Sequence, residues 1–116
     1  MQSILIKRVY EPKAEADGYR ILVDRLWPRG VTRADAAVDE WMKEIAPSTE
    51  LRKWFHSDAG NWEQFKHKYI LELQNNPAVP TLQTLLKQYT VITFLYAVKD
   101  EQHNHAIILR DYLQNI

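Results

Sequence analysis

The rhythm of hydrophobic and polar positions changes several times along this chain, and each change marks an element. "SILIKRV", Ser3–Val9, is β-rich with partial alternation and predicts a strand. "YEPKAEADG" breaks the pattern with Pro12, Gly18 and scattered charge, and reads as an exposed connection. "YRILVDRLW" restores it as a second strand, whose continuous apolar centre at Ile21–Val23 implies cover on both faces. Pro28 and Gly30 end that strand.

The period then lengthens to that of helices. Thr32 with Asp35 three residues on has the form of a capping box. In "AAVDEWMKEIA" that follows, Val38, Trp41, Met42 and Ile45 fall on one helical face. Pro47 stops the pattern, and Ser48 can cap a short helix over "TELRKWF". Asn61 with Gln64 opens the clearest helix, with an apolar stripe of Trp62, Phe65, Tyr69, Ile70 and Leu73. "NNPAVP" breaks it, and Thr81 can cap "LQTLLKQ". "YTVITFLYAV" is a third strand, apolar through its middle. "DEQHNHAIILRDYLQ" reads as a final helix capped by Asp100, with His103 and Asn104 in its first turn.

This order predicts one α/β domain over residues 1–116, with a small, mainly parallel three-stranded sheet and helices on both faces in a three-layer sandwich. A long helical crossover makes strands two and three parallel, while the first connection is too short to fix the orientation of strand one.

Composition narrows the chemistry. The chain of 116 residues has no cysteine, which excludes disulfides, thiolate metal sites and a thiol nucleophile. The opening "MQSILIKRVY" lacks the pattern of a signal peptide, and "VITFLYAV" is too short to span a bilayer. The reading is a soluble cytoplasmic protein. Fifteen basic residues balance fifteen acidic ones, which argues against general affinity for nucleic acid. With three glycines there is no P-loop or dinucleotide fingerprint, and the four histidines are not spaced as metal ligands. Neither a metal nor a cofactor is expected.

In an open parallel sheet, ligands bind beyond the carboxyl ends of the strands. Three segments meet there in this reading. Arg8 follows strand one; Asp24, Arg25, Trp27 and Arg29 follow strand two; Lys99, Asp100, His103 and Asn104 follow strand three. Arginine forks grip phosphate or carboxylate, and a helix N-terminus favours anions. Arg8, Arg25, Trp27, Arg29, Lys99, Asp100 and Asn104 are therefore the candidate binders of an anionic small molecule. Asp24 and His103 are the groups that could move a proton, if the protein is an enzyme at all. Each has a structural reading beside it: Asp24 and Arg25 as an ion-pair network, Trp27 as a lid or core residue, Asp100 as a cap.

"DGYRILVDRLWPRG", "APSTELRKWF", "NWEQFKHKY" and "LYAVKDEQHNHA" resemble the YeaO-like family of bacterial proteins, a branch of domain-of-unknown-function family 488. The resemblance covers nearly the whole chain and implies a small cytoplasmic α/β protein. It places the family's polar motif positions on Arg8, Asp24, Arg25, Trp27, Pro28, Arg29, Arg52, Lys99, Asp100, His103 and Asn104. After "RKWF" the family pattern resembles Gly-His-Asp, whereas this chain has His56, Ser57 and Asp58; His105 stands where the family often has a second asparagine. Related longer proteins carry a cysteine–histidine–arginine motif after the last strand, which a cysteine-free chain cannot reproduce.

The leading expectation is a domain that binds an anionic, phosphate- or carboxylate-bearing small molecule. The competing classes are an interaction or homo-oligomerisation module using Trp54, Phe55 or Trp62, and a regulatory nucleic-acid-binding protein.

Overall fold

The computed structural model describes residues 3–116; Met1 and Gln2, which the single-domain reading includes, lie outside the described residues. Four strands form one sheet: β1 (Ser3–Arg8), β2 (Tyr19–Leu22), β3 (Glu40–Trp41) and β4 (Val91–Tyr96). Their order is β1-β4-β2-β3, and every pair is parallel. The parallel α/β expectation holds, with four strands in place of three. Strand one, whose orientation the sequence left open, runs parallel to β4 from Ser3 opposite Val91 to Arg8 opposite Tyr96.

The extra strand lies inside a segment whose periodicity predicted a helix. Thr32 does cap a helix, accepting from the Asp35 N–H at 3.0 Å, but this α1 spans only Arg33–Ala36. Ala37 then turns left-handed, at φ 48°. The open edge of β2 captures the chain beyond it. The Asp39 N–H donates to the Arg20 carbonyl, and the Asp39 carboxylate accepts from the Arg20 N–H, both at 2.9 Å. Pairing to an available sheet edge outweighs a helical period with no helix partner.

The other helices follow their caps more closely. Ser48 caps α2 (Thr49–Phe55), and Asn61 caps α3 (Trp62–Gln74). Phe65, Tyr69 and Leu73 of α3 are buried, whereas Trp62 and Ile70 are only partly covered. Two boundaries differ from expectation. Thr81 caps nothing: α4 (Ala78–Gln88) starts earlier, because the Asn76 side chain accepts from the Ala78 N–H and Pro77 opens the turn. The last helix, α5 (His105–Gln114), is capped by Asn104 and not by Asp100. Asn104 Oδ1 accepts from the Ile107 N–H, so His103 lies in the loop before the helix and Asn104 at its cap.

The two faces of the sheet are packed differently. Ile21, Val23, Ile92, Phe94 and Tyr96 point into the main core with residues of α2 to α5. The alternate positions Leu22 and Leu95 meet Val9, Ala36 and the half-buried Trp27, Val38 and Trp41 in a smaller core. Beside that smaller core Arg20, with none of its surface exposed, pairs with the Asp17 carboxylate and donates to the carbonyls of Ala36 and Ala37. Lys7 reaches the same carboxylate at 3.2 Å. Burial acts to raise the Asp17 pKa, but hydrogen bonds from the Ala14 N–H, Lys7 and Arg20 outweigh it and hold the group below the ordinary carboxylate value. Gly18, at φ 64°, lets the chain pass the start of β4, where any Cβ would strike the Val91 carbonyl. Among the described residues no helix is long and apolar enough to cross a membrane.

Candidate functional site

The carboxyl ends of the four strands open into one cleft of about 570 Å³. Tyr10 follows β1, the loop Asp24–Arg29 follows β2, and Ala97 to His105 follow β4. The chain beyond β3 supplies Ala46, Pro47, Arg52 and Phe55, and Phe65 of α3 closes the inner wall.

Asp24 ties these segments together. Its Oδ2 accepts from the Ala97 N–H at 3.1 Å, and its own carbonyl accepts from the Trp41 indole at 2.7 Å. Its Oδ1 lies 3.1 Å from His105 Nε2. That nitrogen is also 2.9 Å from the Val23 carbonyl. A carbonyl can only accept, so Nε2 carries the proton and gives it to Val23. Asp24 Oδ1 stays buried beside the imidazole without a hydrogen bond of its own. The carboxylate and the ring thus brace the end of β2 against the start of α5.

The arginines divide by bonding. Arg25 donates from Nη2 to the Ala46 carbonyl at 3.1 Å and from Nε to that of Pro47 at 3.3 Å, holding the segment that leads into α2. Arg8 does the same for the loop after β4, donating to Val98 and Ala97 at 2.9 and 2.8 Å, and it does not line the cleft. Arg29 and Arg52 line the cleft and are exposed, and among the described residues neither guanidinium has a hydrogen bond, ion pair or ring partner. Lys99 is exposed and outside the lining.

The remaining expected residues have clear attachments. Trp27 donates its indole N–H to the Val31 carbonyl at 2.8 Å, packs edge-on against Trp41 and lies beneath the Arg33 guanidinium while lining the cleft. Asp100 accepts from the N–H groups of Gln102 and His103, both at 2.9 Å, and these bonds lower its pKa. The His103 ring lies 3.3 Å from that carboxylate and edge-on to Trp62. Buried Asn104 donates to the Asp100 carbonyl at 3.1 Å in addition to capping α5. The structure therefore gathers Asp24, Arg25, Trp27, Arg29, Asp100, His103 and Asn104 around one cleft, and leaves Arg8 and Lys99 outside its lining.

Three cationic or imidazole side chains belong to the cleft that the sequence reading did not assign to it. Arg52 was visible only as a motif position. His56 and His105 were set aside because no other histidine stood at ligand spacing, yet they enter from α2's end and α5's start. The available signal for His105 was its place just inside a helix that follows a strand. Trp54, Phe55 and Trp62, the residues on which an interaction surface would rest, are half-buried, with Phe55 stacked on Phe65 at 4.2 Å. Among the described residues no group of acids and histidines is arranged to hold a metal ion.

A family model described as the inactive DUF488-N3 subclade matches residues 3–116. The chain is 47% identical to the uncharacterized protein YeaO of Escherichia coli K12 over 115 residues, covering 98% of this chain and 99% of that one. It is 36% identical over 110 residues to uncharacterized proteins of Mycobacterium bovis and Mycobacterium tuberculosis, covering 95% of this chain and 92% of theirs. No solved structure matches.

Proposed function

The chain belongs to the inactive DUF488-N3 subclade, and on that premise we propose that it binds an anionic small molecule in this cleft without transforming it. The observation that carries the reading is the pair of guanidinium groups, Arg29 and Arg52, that line the cleft without a protein partner. Neither cleft acid pairs with these arginines: Asp24 Oδ2 accepts from the Ala97 N–H, and Asp100 accepts from two N–H groups of its own loop. A bound phosphate or carboxylate therefore meets cations that nothing else neutralises, and arginine suits either anion by its planar fork.

Binding without turnover fits the bonding of the groups that could move a proton. His105 gives its N–H to a main-chain carbonyl, Asp24 is braced by the Ala97 N–H and the His105 ring, and the His103 ring rests between the Asp100 carboxylate and Trp62. No cysteine is present to act as nucleophile. The word "inactive" in the family's description agrees with that. The net charge of zero favours a single bound anion over a duplex phosphate backbone.

Thermal-shift and calorimetric titration with inorganic phosphate, sugar phosphates, nucleotides and small carboxylates tests the reading. A true ligand at a hundredfold excess over its Kd stabilises the fold by about 2.7 kcal/mol. The double variant Arg29→Ala/Arg52→Ala is expected to lose that gain while unfolding like the parent. If no anion stabilises the wild-type chain, or the double variant keeps the full response, the reading is wrong.

A further inference from the structure

We infer that the ligand of this cleft is an amphipathic anion: a phosphate or carboxylate joined to an apolar body of aryl or short-acyl size. This rests on the anion-binding reading above and adds what the rest of the ligand must be.

The first observation is size. A cleft of about 570 Å³ lies in the range that holds a drug-sized molecule, and it is far larger than a lone oxyanion needs. The second is how polarity is arranged inside it. The unpartnered cations Arg29 and Arg52 are exposed, whereas deeper in the cleft a carbon wall of buried Ala46, Pro47 and Phe65, with Phe55 stacked on the last of these, faces the braced Asp24, Asn104 and His105. The third is the mouth. Leu26 is 59% exposed, Tyr10 44% and Val98 39%, and all three line this cleft. They are three of the seven large hydrophobic residues that the described surface exposes. A single exposed leucine is ordinary, but a group around one opening marks a surface that gains by being covered.

A compact polar anion would satisfy the arginines and leave this carbon surface wet. A sugar phosphate would still press part of its hydroxylated body against the side chains of Leu26, Phe55 and Val98, which offer no hydrogen bonds. An anion with an aryl or acyl body meets both halves at once, its head at Arg29 and Arg52 and its body along Leu26, Phe55 and Val98. Flat rings also suit aromatic walls, which pack them face-on or edge-on.

Calorimetric Kd values for five compounds on the wild-type chain decide the matter: inorganic phosphate, glycerol 3-phosphate, phenyl phosphate, hexyl phosphate and benzyl alcohol. Phenyl or hexyl phosphate is expected to bind at least about tenfold tighter than inorganic phosphate or glycerol 3-phosphate, the gain for covering tens of Å² of carbon. The stronger of the two identifies the body as a flat ring or a flexible hydrocarbon chain. Leu26→Asn/Val98→Asn alters two exposed side chains and leaves the fold intact. It should weaken the apolar phosphates several-fold while inorganic phosphate binds as before. If the two small polar phosphates bind as tightly as both apolar ones, the inference falls and the anion-binding reading stands. If no phosphate binds, or benzyl alcohol binds as tightly as phenyl phosphate, the anion-binding reading falls and takes the inference with it.

Discussion

Arginine does opposite things in two regions of this molecule. On the thinner face of the sheet Arg20 is wholly enclosed, with the Asp17 carboxylate and the carbonyls of Ala36 and Ala37 as partners. At the carboxyl edge Arg29 and Arg52 stand in solvent with none. Arg25 falls between them, half-buried and bonded to two carbonyls. Residue type alone therefore does not mark a binding site. What separates a structural cation from one open to a ligand is whether the fold has already used its donors.

That graded series can be broken from its strong end. Arg20→Met removes the closer of two countercharges from a buried carboxylate and the donors of the Ala36 and Ala37 carbonyls, and should cost about 3–5 kcal/mol in urea unfolding. A loss below about 1 kcal/mol would show that the pair is not what holds the thinner face. The Asp17 side of the pair gives a pH signature. Its folded pKa lies below the unfolded value, so its contribution is fully present above about pH 4 and is lost as pH falls through the folded value. Asp17→Asn should be less stable at neutral pH, yet flatter than wild type as pH falls below about 4.

Arg25→Ala comes next, with an expected loss of about 1–2 kcal/mol for two carbonyls deprived of their donor. It should also weaken any ligand, by loosening the segment that places Arg52. The smallest effect belongs to Arg29→Ala and Arg52→Ala, which should each shift stability by less than about 0.5 kcal/mol, as surface changes do. A loss as large as that of Arg25→Ala would place Arg29 or Arg52 among the structural arginines and remove the contrast.

The fold was legible where a signal is local. Ser48 and Asn61 announce α2 and α3 because an N-cap acts within three residues. The apolar centres of β2 and β4 announce buried strands for the same reason. β3 was not legible, because two residues pairing with the edge of β2 depend on a partner some twenty positions away, and the local period pointed to a helix. The cleft was legible as a place, since strand ends in a parallel sheet converge. Its occupants were less so. Arg8 and Arg25 looked like anion ligands but spend their donors on main-chain carbonyls, which no sequence pattern reports. Arg20 passed unnoticed as one polar letter in an apolar run, although its burial is complete.

The strand order sets a timetable for synthesis. β4 is flanked by both β1 and β2, so neither can take its place until residues 91–96 have been made. At roughly 5–20 residues per second, the interval between the making of Leu22 and of Tyr96 is about 4–15 s. Through that interval the apolar segment around Ile21 waits without its partner, while α2, α3 and α4 emerge and can form locally. The chain thus makes α2, α3 and α4 before the central strand that closes its sheet, with α5 following it, and the cleft, which needs all four strand ends and the start of α5, is completed last.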